Sequence, residues 1–336
     1  MEKWGLKMAN LKLKSIAVYH GENVVSNDFY VEHFAKQGKD VEHFLSDVIG
    51  RDKRYMIDST KENSLTMALT AVESALNKAD LTGEDIDMII YSACMPEYVV
   101  PPSSIYVHNA IKGKKQCICF DINAVCAGMT LSLDMVSKYM QSSDLIKRVL
   151  IVGADYVNIL LNQSNEFCYG HYGDASCAII IEKTDEDCGI LGSKCYINSC
   201  EHKNITFPAC GVSNISRTDD KEKWLLDWIP FENVSLDRAF NSMNELLAEN
   251  NLTKDDIKMF CFSQYALCNV NTLREMLDIE EERSIFIGDE YGYTGTSSPF
   301  IALYESIERG IVKRGDHVMF WTIGAGSQNI ALLFKY

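Results

Sequence analysis

The chain predicts an α/β protein built from two similar halves, on three observations. The first is an internal repeat. The segment "ALNKADLTGEDIDMIIYSA" (residues 75–93) aligns without a gap on "LLAENNLTKDDIKMFCFSQ" (residues 246–264), about half the chain length further on. Leu81 pairs with Leu252, Thr82 with Thr253, Asp85 with Asp256, Ile86 with Ile257, Met88 with Met259 and Ser92 with Ser263. The second is the alternation of helix-period and strand-period segments. The third is that several strand segments are apolar throughout, as in sheets covered on both faces. A single offset of this size marks a duplicated fold; a solenoid would repeat every 20–50 residues or so.

Each copy of the repeat reads as a helix, a turn carrying "LT" and acids, and a buried strand. In the first half a second strand, "CICFDI" (117–122), closes on an aspartate. A helix follows at "AGMTLSLDMVSKYMQSSD" (127–144) and a third strand at "RVLIVGAD" (148–155). The second half matches it. "SIFIGD" (284–289) is its second strand, "SSPFIALYESIERG" (297–310) its helix and "HVMFWTIGAG" (317–326) its third strand. The break falls near residues 184–190, giving an N-terminal half of 1–184 and a C-terminal half of 185–336. Ligands in α/β folds gather at strand C-termini. Cys126, Ser263, Tyr293 and the "GAG" of Gly324, Ala325 and Gly326 all lie just past such ends.

At 47% hydrophobic and 24% charged, the composition is that of a globular protein. A net charge of -15 argues against nucleic acid or an anionic membrane as the main partner, because both need a basic surface. The short basic stretches "KGKKQ" (112–116) and "GRDKRY" (50–55) read as solvated turns. No apolar run reaches the roughly 18 residues of a membrane span, and the N-terminus lacks the apolar core of a signal peptide. A cytoplasmic location is expected. The twelve cysteines include no CxxC pair and no zinc-type spacing with histidine, so no metal site is expected. Cys94, Cys117, Cys119, Cys177 and Cys261 sit in apolar runs and read as small core hydrophobes.

Cys126 is different. In "DINAVCAGMTLSLDM" (121–135) a strand-like run ends just before it and an amphipathic helix begins just after it. It is either a nucleophile at a helix N-terminus or one more buried thiol. Gly324, Ala325 and Gly326 are either an ordinary strand-end turn or a place where backbone must approach a carbonyl.

With these segments in order, the chain resembles β-ketoacyl-acyl-carrier-protein synthase III and its relatives in the thiolase superfamily, nearly end to end. "VVSND" (24–28) looks like the family's "VVTND", and "EDIDMIIYSACMPEYVVPPSS" (84–104) its "D-DLIIVAT-TPDY--PS". "FDINAVCAGMTLSLDMV" (120–136) is similar to "FDLSAACSGF-YAL", in which the cysteine is the nucleophile. "YGDASCAIIIE" (172–182) is similar to "FGDGAGAVVLE", and "IGAGSQNIALL" (323–333) to "FGGGFTWGSAL".

The resemblance implies a thiolase-like fold: two βαβαβαββ halves stacked in five layers, α-β-α-β-α. It implies that Cys126 is acylated by an acyl phosphopantetheine thioester, on acyl carrier protein or coenzyme A, with no bound cofactor. A helix N-terminus is expected to lower the thiol's pKa. The N–H groups of Cys126 and of Ala325 or Gly326 would form the oxyanion hole. The family forms dimers across its central sheet.

Two family residues are missing. The family's histidine, in "HQAN", falls on Ser263 of Ser263-Gln264-Tyr265-Ala266. Its asparagine, in "YGNTSAAS", falls on Tyr293. Serine and tyrosine are donors with no useful basicity near neutral pH, so the chain should be poor at decarboxylative condensation with malonyl thioester. His108, His171, His202 and His317 lie in no family motif; His171 and His202 are candidate substitutes. Coenzyme A recognition is also expected to be weak. Phe44 stands for the family's adenine-stacking tryptophan, Asp52 for an arginine, and Asn165 or Glu166 for a second arginine. A one-residue slip could bring Arg51 or Arg54 into play.

Three functions follow from the resemblance. The first is an acyltransferase of specialised or fatty-acid-related metabolism, passing an acyl group from Cys126 to an alcohol, amine or thiol, with Ser263 and Tyr293 orienting the acceptor. The second is a 3-oxoacyl synthase that keeps condensation through a rearranged site. The third is a quiet subunit paired with an active paralogue. Acyl carrier protein and a second synthase III-like chain, as homodimer or heterodimer, are the partners implied.

Overall fold

The computed structural model describes residues 10–229 and 236–336. In chain order the first half runs β1 (Leu11–His20), β2 (Asn23–Ser26), α1 (Asn27–Ala35), β3 (Lys53–Met56), α2 (Ser64–Ala79), β4 (Met88–Ser92), α3 (Ser103–Ala110), β5 (Ile118–Ile122), α4 (Gly128–Ser142), β6 (Arg148–Asp155) and β7 (Ala175–Lys183). Then come β8 (Gly189–Ile197), β9 (Ile205–Thr206), β10 (Asp227–Trp228), α5 (Leu236–Glu249), β11 (Ile257–Phe262), α6 (Leu267–Leu277), α7 (Gly288–Tyr291), α8 (Ser298–Glu308), β12 (His317–Gly324) and β13 (Gln328–Lys335).

Two sheets carry the fold, ordered β1-β7-β6-β4-β5 and β8-β13-β12-β11. β4 is parallel to both β5 and β6, and β11 is parallel to β12, while the remaining pairs are antiparallel. The sheets are superposable in order, with β11, β12, β13 and β8 standing for β4, β6, β7 and β1. Three apolar clusters give the layers. Met129, Leu133 and Val136 of α4 and Phe300, Ile301 and Leu303 of α8 pack between the sheets, against Ile151, Ile179, Phe320 and Leu332. Ala68, Ala71 and Val72 of α2 cover the outer face of the first sheet. Met243 of α5 and Leu273 of α6 cover that of the second. The order is α-β-α-β-α, the five-layered thiolase arrangement.

The repeat survives as geometry. In each copy a residue in the left-handed region ends or follows the helix, Asp80 (φ 55°) and Asn251 (φ 55°). The "LT" turns then close with the same reciprocal cap. The Thr82 N–H donates to Asp85 Oδ2 at 2.9 Å, and the Thr253 N–H to Asp256 Oδ2 at 2.7 Å.

Three expectations need correction. "SIFIGD" makes no strand: residues 284–287 pair with no ladder, and α7 begins at Gly288. The buried Gln264 side chain takes the ladder's place, its Oε1 accepting from the Ile287 N–H at 2.8 Å and its Nε2 donating to the Ile285 carbonyl at 3.4 Å. Cys117 and Cys119 are half-buried rather than core, because β5 is an edge strand. "GRDKRY" is no solvated turn, since Arg51 and Arg54 are 2% and 0% exposed.

Candidate active site

The nucleophile candidate sits on a strained turn. After β5, Asn123 Oδ1 accepts from the Val125 N–H at 3.1 Å, and Val125 takes φ 51°, a costly conformation for a β-branched residue. Cys126 follows in a short 3-10 turn, Val125–Ala127, that leads into α4. Close packing fixes this turn from two sides. A Cβ on Gly128 would lie 2.2 Å from Ser92 Oγ, and one on Gly324 would lie 2.8 Å from the Ala124 carbonyl oxygen. The ends of β4 and β12 can therefore press against the turn only because both positions are glycine. The second half also caps the helix that follows Cys126, because the Met129 N–H donates to Thr296 Oγ1 at 2.7 Å. Thr296 Oγ1 lies 3.0 Å from Ser92 Oγ.

Cys126 opens into a cavity of about 220 Å3 that Tyr293, Gly324, Ala325 and Gly326 also line. Sequence-predicted residues from both halves thus meet at one place. Ser263 does not line it. It is 2% exposed and lies behind Tyr293, with Ser263 Oγ 3.2 Å from the Tyr293 hydroxyl. The same hydroxyl faces the cavity with Cys126 and favours its thiolate. The expected lowering of the Cys126 pKa is not found. Burial pushes the thiol up to about 12, against the Tyr293 hydroxyl and its own N–H, which favour the thiolate; the Asp155 charge adds to the rise.

The remaining candidates fall away from the cavity. Arg51 donates to the carbonyls of Ile49, His171, Gln264 and Tyr265, and Arg54 to Gly170 O and Asn27 Oδ1. Neither is free to meet a nucleotide. Phe44 packs on Phe167 at 5.7 Å between ring centroids, and Glu166 pairs with Lys39 at 2.5 Å. His171 is 1% exposed among the rings of Tyr172, Trp228, Tyr265 and Tyr293, and neither ring nitrogen has a hydrogen-bond partner. Burial first, then Arg51 and Arg54, hold it neutral, well below the usual histidine range. It stands behind the cavity wall. The His202 ring is exposed, and His108 binds the Lys114 carbonyl at 3.0 Å.

Two residues of the candidate site carry no signal of it in the sequence beyond position. Cys94 and Asp155, just past β4 and at the end of β6, line the cavity beside Cys126. Asp155 is 2% exposed. Its Oδ1 accepts from the Cys94 N–H at 2.8 Å, the Cys94 thiol at 3.2 Å and the Met95 N–H at 3.4 Å. Its Oδ2 has no hydrogen-bond partner; the Thr296 N–H lies near and favours the charge without hydrogen-bonding geometry. Burial raises the carboxyl above its ordinary range against those donors. The legible signal was position alone: each lies where a parallel strand ends. Among the described residues no cluster of metal-ligating side chains occurs, and no helix is long and apolar enough to cross a membrane.

Comparison with known proteins agrees with this fold. The family described as 3-oxoacyl-[acyl-carrier-protein] synthase III matches residues 120–199, and its C-terminal counterpart matches residues 247–336. A β-ketoacyl-[acyl-carrier-protein] synthase III of Clostridium perfringens (strain SM101) is 28% identical over 334 residues, covering 98% of this chain and 100% of its own. The crystal structure of 3-oxoacyl-[acyl-carrier-protein] synthase III from Aquifex aeolicus superposes with a TM-score of 0.85 at 23% identity, over 97% of this chain and 100% of that one. The priming β-ketosynthase of the R1128 polyketide pathway superposes at 0.87 with 18% identity, over 98% of this chain and 97% of that one. Fold and cysteine turn define a condensing-enzyme scaffold of the thiolase superfamily. Within it, the chain belongs to the synthase III-like family.

Proposed function

We propose that this chain is an acyltransferase in which Cys126 takes an acyl group from the phosphopantetheine arm of an acyl carrier protein and passes it to an acceptor without malonyl decarboxylation. The observation that carries the reading is the charge of the cavity. Its charged lining side chains, among the described residues, are Asp155 and Glu201, with no Lys, Arg or His. A malonyl group brings a carboxylate of its own. Two buried or half-buried acids and no cation oppose its entry, and nothing there replaces the imidazole of the family's histidine.

The roles follow from position. Cys126 is the nucleophile, with its own N–H and that of Ala325 or Gly326 stabilising the tetrahedral oxyanion. Tyr293 holds the sulfur, and Ser263 holds the Tyr293 hydroxyl. A thiol pushed up by burial is a weak nucleophile until a thioester enters, so the Tyr293 donor matters most as the thiolate forms. A second synthase III-like chain is the expected partner. Edge strand β5 and the exposed Val99 (84%), Val100 (83%) and Ile118 (36%) offer an apolar border for it.

Intact-protein mass spectrometry tests the reading, with acyl-carrier-protein and acyl-coenzyme A thioesters as donors. A mass gain that disappears in Cys126→Ala is expected, larger with carrier protein than with coenzyme A. No adduct from any donor would leave a non-catalytic subunit as the better account. Release of CO2 from malonyl donors at the rate of acylation would favour a rearranged condensing enzyme.

A further inference from the structure

The acceptor's chemistry is written in the wall beside Cys126. Asp155 is a buried carboxylate whose Oδ2 makes no hydrogen bond, in a cavity that also carries Glu201. A Cβ on Gly295 would stand 2.8 Å from that oxygen, so a glycine at φ 61° leaves it room. It lines the same cavity as Cys126, where the acyl group would sit. An unpaired buried carboxylate oxygen is costly unless something arrives to meet it. The same cavity is lined by Trp228 and Tyr265, stacked at 5.7 Å with rings 8° from parallel, and by Tyr172 and Tyr293. Aromatic faces and carboxylates together, with no cation among the described lining residues, make a receptor for an ammonium group.

We propose that the acceptor is a primary amine, and that Asp155 takes the proton its nitrogen loses before attacking the Cys126 thioester. The proposal rests on the acyltransferase reading above and names the substrate class of that site. The amine enters as its ammonium ion and pairs with the Asp155 carboxylate. Away from water the charged pair and the neutral pair come close in energy, because desolvation favours the neutral form of both groups. One proton passes to Asp155, and the freed lone pair attacks the thioester carbon. A C–N bond forms and the carbonyl oxygen takes the negative charge. As the C–S bond breaks, the second proton goes from nitrogen to the departing Cys126 sulfur. The amide leaves, Cys126 is again a thiol, and Asp155 releases its proton to solvent. No oxidant or further reactant is needed.

The test isolates the second half-reaction. Acyl-enzyme is prepared from wild type and Asp155→Asn, and chased separately with n-hexylamine, n-hexanol and hydroxylamine at pH 7, with adduct loss and product followed by mass spectrometry. The side-chain amide keeps an acceptor for the Cys94 and Met95 N–H groups. Hydroxylamine is uncharged at this pH and has no ammonium proton to lose, so it reports the integrity of the acyl site. Hexylamine should clear the wild-type adduct far faster than hexanol, and Asp155→Asn should slow hexylamine about 100-fold while hydroxylamine changes only a few-fold. Glu201→Gln should raise the hexylamine concentration for half-maximal release roughly ten-fold.

Hexanol or water outpacing hexylamine on wild type would overturn the amine assignment while leaving the acyl-enzyme in place. Unchanged hexylamine release in Asp155→Asn, or equal loss with hexylamine and hydroxylamine, would remove Asp155 from proton transfer. If no donor acylates Cys126, the acyltransferase reading fails and takes this proposal with it.

Discussion

The Tyr293 hydroxyl lies 3.2 Å from Ser263 Oγ, so the two positions where the family carries asparagine and histidine are joined to each other beside the candidate nucleophile, whose thiolate the Tyr293 hydroxyl favours. In the family's pattern both would address substrate. Here only Tyr293 reaches the cavity, and its ring stands between Ser263 and the space where chemistry would occur.

That order makes a sharp expectation for restoring the family pair. Ser263→His alone forces an imidazole into a site already filled by Tyr293, and should cost about 1–3 kcal/mol by overpacking. Tyr293→Asn vacates that space. The double variant should be more stable than the sum of the singles by more than about 0.5 kcal/mol, measured by urea unfolding in a double-mutant cycle. It should also release CO2 from malonyl thioester, while either single variant should not. Additive stabilities would show that the two side chains do not share the volume.

Tyr293 should also govern the reactivity of the thiol. With Cys126 pushed up to about 12, alkylation by iodoacetamide should climb with pH and show no plateau below about pH 10, since the thiolate fraction keeps rising. The sign follows from burial, which favours the neutral thiol. Tyr293→Phe removes the hydroxyl that favours the thiolate and should slow alkylation at pH 8 by roughly ten-fold, the worth of a hydrogen bond formed to the charged sulfur. A plateau near pH 7 would mean that the helix terminus outweighs burial.

Arg51 is a fastener. Its guanidinium gathers four carbonyls, two of them (Gln264 and Tyr265) from the second half. Arg51→Met should destabilise by at least about 3 kcal/mol, because buried acceptors lose their donors. Coenzyme A binding by calorimetry should be unchanged in any fraction that folds. A selective loss of binding with normal stability would place Arg51 at a ligand after all.

Much of this architecture was legible because its signals are local. The "LT" turns at Thr82 and Thr253 announced the duplication, and each rests on a hydrogen bond spanning three residues. Strand ends pointed to Cys126 and Gly324 for the same reason, and both line the cavity; Tyr293 lines it too, although the strand expected before it is absent. What stayed hidden depends on partners far along the chain. Asp155 looked like any strand terminus because the Cys94 it binds is 61 residues away. Arg51 and Arg54 looked solvated because the carbonyls that bury them come from residues 170 and 171 and, for Arg51, from 264 and 265. "SIFIGD" has a strand's composition, but one buried glutamine side chain satisfies the backbone that a neighbouring strand would otherwise meet.

Thr296 gives the last expectation. Thr296→Val keeps the shape but removes the acceptor for the Met129 N–H and the partner of Ser92. Loss of such a cap should cost about 1 kcal/mol, lowering the thermal midpoint by a few degrees. Acylation of Cys126 should fall by more than the unfolded fraction explains, because the turn that aims the sulfur loses its outside support.

The same contact means that the candidate nucleophile is a shared possession of two polypeptide segments. If the chain were cut between β7 and β8, the fragment holding Cys126 would lack Thr296, Gly324 and Tyr293. The other would hold all three and no nucleophile. Neither piece alone could be charged with an acyl group. Acylation would become a coincidence detector, reporting only those molecules in which the two pieces have found each other.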